Sequence, residues 1–81
     1  MAYTDFTQMP VWIISMEIGE EIFLLSEVLP RKEDYALTSQ IRRSAESISA
    51  NIAEGFGRGG VREKINFYRY SRGSAMETKS I

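Results

Sequence analysis

LTSQIRRSAESISANIAEGFGR, residues 37–58, is the stretch whose reading decides the fold. Leu37, Ile41, Ala45, Ile48 and Ile52 recur at spacings of three and four, the signature of an amphipathic helix with one face in a core. Ser39, Ser44, Ala45, Ser47, Ser49, Ala50 and Ala53 are small and let a neighbouring helix approach closely. Beside the apolar stripe stand Gln40, Arg42, Arg43, Ser47, Asn51 and Glu54, more hydrogen-bonding groups than a plain surface helix needs. The spacing predicts a helix over 35–54, stopped at Gly55 in a left-handed conformation.

Working outward, Pro10 opens a second periodic segment, where its missing N–H is harmless. Val11, Ile14, Ile18, Ile22, Leu25 and Leu29 form its stripe, widened by Trp12, Met16, Phe23 and Leu24. Pro30 and the charged turn behind it end this helix, which is expected over 10–29. On the other side, Val61, Ile65, Tyr68 and Met76, with Phe67 and Ala75, mark a third helix over 61–80. Gly73 lies inside it, at a cost of about 1 kcal/mol relative to alanine, which a close helix contact is expected to offset. No strand-like alternation and no repeat interrupt this pattern. The expectation is an all-α single domain spanning 1–81, an antiparallel up-down helix bundle.

An 81-residue chain buries only about 60% of the surface its unfolded form exposes. It has no cysteine and no histidine, so disulfides and the usual Zn, Fe–S and haem sites are excluded, and no metal or cofactor is expected. No apolar run reaches about 18 residues, the length of a membrane span. MAYTDFTQMP carries no basic leader, and a cytoplasmic location is expected. The formal net charge of −1 hides an asymmetry: residues 1–30 hold five acidic side chains and no basic one, whereas residues 40–72 hold seven basic against three acidic. An acidic first helix packing beside basic neighbours accounts for this without nucleic acid, whose binding domains usually carry clear positive charge.

LTSQIRRSAESISANIAEGFGR followed by FYRYSRGSAMET resembles the four-helix-bundle protein family, the 23S rRNA intervening-sequence proteins, whose members read close to LTSQIRRAA-SI-ANIAEG-GR and then an aromatic-rich segment ending in RGS and a glutamate. The resemblance runs from Asp5 to Lys79. Glu46 and Ser49 stand where family members more often carry a small apolar residue and proline. It implies a four-helix pattern of which three helices are present, and homo-oligomers, often pentamers, with a dimer possible for a shortened chain. A groove between the first and third helices, with another copy covering it, is the expected result.

Two groups of polar side chains are singled out. Gln40, Arg43, Asn51, Glu54, Arg58, Arg72 and Glu77 are expected to form a structural polar network, because buried polar groups need partners; a ligand site lined by Arg43 and Asn51 is the competing reading. Arg42, Arg62, Lys64 and Arg69 are the candidate nucleic-acid-binding cations. The loop GFGRGG, residues 55–60, lacks the phosphate-binding pattern and a preceding strand and reads as an interhelical turn. With no Cys or His nucleophile–base pair, and no Glu-x-x-His for a bundle metal site, no catalytic residue is assigned. The expected function is therefore a non-enzymatic, self-associating structural module, with an RNA- or DNA-binding accessory protein on a basic surface of the second and third helices as the alternative.

Overall fold

A computed structural model describes residues 2–81. Among these residues there are three α-helices and no strand: α1 (Pro10–Ser26), α2 (Leu37–Gly57) and α3 (Val61–Ser80). Short 3₁₀ turns at Phe6–Gln8 and Arg31–Glu33 precede α1 and α2. The fold is all-α.

The helix ends have local causes. Pro10 occupies the first turn of α1 as expected. α1 stops at Ser26 rather than 29, because the N–H groups of Glu27, Val28 and Leu29 donate to carbonyls three residues back. That tightening runs into Pro30, which disfavours helical backbone at the residue before it. α2 begins at Leu37 and passes through Gly55 to Gly57. Gly55 is thus not a left-handed stop, and no glycine among the described residues has positive φ. Instead Gly55 is buried against α3, where an added Cβ would lie 2.8 Å from Tyr68 Cε1 and 3.0 Å from Phe67 Cβ. The glycine buys close approach of two helices, not a chain reversal.

α2 is the middle element. It packs on α1 and on α3, whereas no Cα of α1 comes within 8 Å of one in α3. Ser71 Oγ of α3 donates to the Ile48 carbonyl (2.7 Å), and Thr78 Oγ1 donates to Ser44 Oγ (2.9 Å). Among the described residues Ala45, Ile48 and Ile52 are the buried apolar residues, all on the stripe read from the sequence. That is a small core. The accessible surface, 5968 Å², exceeds the about 4,900 Å² that a folded 9.2 kDa chain usually shows. The radius of gyration, 13.9 Å, likewise exceeds the about 11.7 Å typical of this length.

α1 departs most from expectation. Its face toward α2 is not Val11, Ile14, Ile18 and Leu25 but Trp12, Ser15, Gly19, Ile22 and Ser26, the positions where α1 is half-buried or buried. Small residues at three- and four-residue spacing bring the two backbones together. The apolar stripe is turned sideways and left exposed, with Leu25 at 67%. Gly73 is also not a close contact: nothing lies within 4 Å of its Cβ position, and the structure gives no packing reason for it.

Candidate functional site

Apolar residues of all three helices and their flanking segments line an open trough. α2 is its floor, and α1 and α3 are its separated walls. At one end Met9 and Val11 face Tyr68, Arg72 and Ala75 across Ile48 and Ile52, enclosing about 310 Å³. At the other, Ile22, Leu25 and Leu29 face Ile81 across Leu37 and Ile41, enclosing about 230 Å³. The groove expected between the first and third helices is therefore present. Arg72 is the one charged residue lining either concavity. Among the described residues it has no ion pair.

Beyond the trough, Ile13, Met16, Phe23 and Leu24 of α1 are also exposed, Leu24 at 65%, around an acidic face of Glu17, Glu20 and Glu21.

The seven residues expected to make one polar network do not connect into one. Among them the structure joins only Glu54 and Arg58, at 2.7 Å. Arg43 donates to Ser39 Oγ, and Asn51 donates to the Ser47 carbonyl one turn back. Gln40, Arg72 and Glu77 make no side-chain hydrogen bond among the described residues. The physical reason is spacing: on a helix a polar side chain reaches the turn below it before it reaches a neighbour eight residues away. Arg58 also lies over the Phe67 ring, 4.7 Å from its centroid.

The four candidate nucleic-acid cations fall into two pairs. Arg42 is a clamp between α1 and α2: its Nε donates to Ser26 Oγ at 2.6 Å and its guanidinium lies 4.0 Å from the Phe23 ring centroid. Lys64 closes the end of α2, its Nζ donating to the Phe56 carbonyl at 2.7 Å and the Gly55 carbonyl at 3.4 Å. A cation there satisfies terminal carbonyls and the negative end of the helix dipole. Arg62 and Arg69 are the exposed pair, lining a shallow concavity with Val61, Ile65 and Asn66. Sequence reasoning missed both structural roles. The signal for Lys64 lay in its position, one turn into the helix that follows the α2 carboxyl end.

No group of three or more carboxylates among the described residues is placed to hold a metal ion. Among the described residues no helix is long and apolar enough to cross a membrane, and one buried side-chain polar group is left over: Thr38 Oγ1 has no hydrogen-bond partner.

A search of curated proteins finds no match. The family described as 23S rRNA-intervening sequence protein matches residues 7–81, nearly the whole chain and including every residue of the trough. The chain belongs to the 23S rRNA-intervening sequence protein family.

Proposed function

We propose that this protein is a non-catalytic helical scaffold that self-associates, its three helices running up and down as part of the four-helix pattern. One observation carries this reading: beside the apolar trough over α2, eight large apolar residues of α1 stand exposed. At about 25 cal/mol per Å² of apolar area, covering such a surface is the largest stabilisation still open to the chain. A homo-oligomer supplies the cover; the resemblance favours a pentamer, and a dimer would also suffice. Light scattering on eluting protein at micromolar concentration tests it. A mass of two or more chains is expected, and a stable, fully helical monomer overturns it.

A second reading, binding of RNA or DNA, is favoured by Arg62 and Arg69 standing exposed on one face of α3 with Asn66 between them. Phosphate neutralisation would drive it. Structured RNA at low salt should then be retarded by the protein and released by Arg62→Glu with Arg69→Glu. Absence of binding at low salt removes this reading.

A further inference from the structure

The two outer helices carry matching surfaces of opposite charge. On α1, Ile13, Glu17, Glu20 and Leu24 are spaced four, three and four residues apart and are all exposed. They form the ridge opposite the Ser15–Gly19–Ser26 face that meets α2. On α3, Ile65, Arg69, Arg72 and Met76 have the same spacing and are also all exposed. They form the outward ridge of α3: Arg72 also lines the trough, while Ile65 and Arg69 line the shallow concavity beside it. Each ridge reads apolar, charged, charged, apolar, with two carboxylates on one and two guanidiniums on the other. Within one chain these ridges do not meet, since α1 and α3 are held apart by α2.

We propose that a second copy of this chain lays its α1 ridge against this α3 ridge. Ile13 and Leu24 of one copy pack on Ile65 and Met76 of the other, and Glu17 and Glu20 pair with Arg69 and Arg72. This rests on the self-association reading and names the surfaces that carry it. Charge selects α1 as the occupant. Arg72 lines an apolar cavity without an acidic partner, and α1 is the one helix of the three with no Lys or Arg. An α3 ridge brought to the same surface would place arginine on arginine. The apolar residues supply the buried area, while the charges fix the partner and the register. Because the two surfaces differ, the contact is heterologous. It closes as a ring, or as a two-fold dimer if both contacts form between the same pair.

The test uses two double variants. In Glu17→Arg/Glu20→Arg both ridges are basic, and in Arg69→Glu/Arg72→Glu both are acidic. Each alone should sediment at one-chain mass at concentrations where the unaltered protein is assembled, with at least a tenfold weaker association. An equimolar mixture should assemble again, since each supplies the charge the other lacks. As an independent readout, the chain has no cysteine of its own. Mild oxidation of Leu24→Cys mixed with Ile65→Cys, or with Met76→Cys, should give a covalent heterodimer, whereas Leu24→Cys mixed with Gly73→Cys should not. If the unaltered protein is assembled, variants that assemble alone, or a mixture that stays dissociated, overturn this interface and leave self-association standing. If the unaltered protein is a monomer, both fall together.

Discussion

Gly55→Ala sets two effects of known sign against each other at one position. Alanine is worth about 1 kcal/mol more than glycine inside a helix, and Gly55 is helical with negative φ, so with free space the substitution would stabilise. The space is not free: the new methyl would sit 2.8 Å from Tyr68 Cε1, 3.0 Å from Phe67 Cβ and 3.1 Å from Tyr68 Cδ1. The Tyr68 ring has room to swing toward the trough. Phe67 Cβ is fixed to the α3 backbone, so relief requires α2 and α3 to separate. Overpacking of that kind costs about 1–3 kcal/mol, and the net expectation is destabilisation by about 1–2 kcal/mol. For a domain of this size each kcal/mol moves Tm by about 4–8 °C. Gly57→Ala is the control, two residues along the same helix with nothing within 4 Å; it should leave Tm unchanged or raise it. Thermal melts followed by circular dichroism, at one fixed protein concentration so that any association enters both melts equally, read both variants. A rise in Tm for Gly55→Ala equal to that for Gly57→Ala would refute the close-approach account.

Three further outcomes follow from local geometry. Thr38→Val replaces a buried hydroxyl that has no partner with a methyl of the same shape, and should raise stability by about 1 kcal/mol in urea melts. Gly73→Ala, exposed within α3 with open space around it, should gain about 1 kcal/mol on the same assay; a loss would reveal a contact at that face. Arg58→Ala removes an ion pair whose side chains are 42% and 53% exposed and a ring contact. It should cost no more than about 1 kcal/mol, and added salt should shrink the difference.

In α2 the periodic stripe supplies the buried core, and Pro10 and Pro30 flank the first helix. In α1 the periodic stripe misleads: apart from Ile22, its residues lie beside the contact with α2 rather than in it. The deciding signal was the row of small residues Ser15, Gly19 and Ser26, which is easy to pass over beside isoleucine and leucine. Gly55 was ambiguous in another way, since a glycine near a helix end serves equally as a left-handed stop or as a gap for a neighbouring ring. Only the position of Tyr68, from a different helix, separates the two. The polar strip from Gln40 to Arg58 was legible as polar, but its partners were not. Arg43 and Asn51 bond one turn away, and Lys64 and Arg42 are tied up by backbone ends and a serine that no spacing in α2 announces.

The account turns on whether α1 is covered by another copy of the chain, and its amide hydrogen exchange across a dilution series measures that directly. Protection from Val11 to Ser26 should fall steeply as concentration drops below the assembly range, while protection over Ala45–Ile52 falls much less. Equal protection of α1 at every concentration, in a protein of single-chain mass, would contradict it.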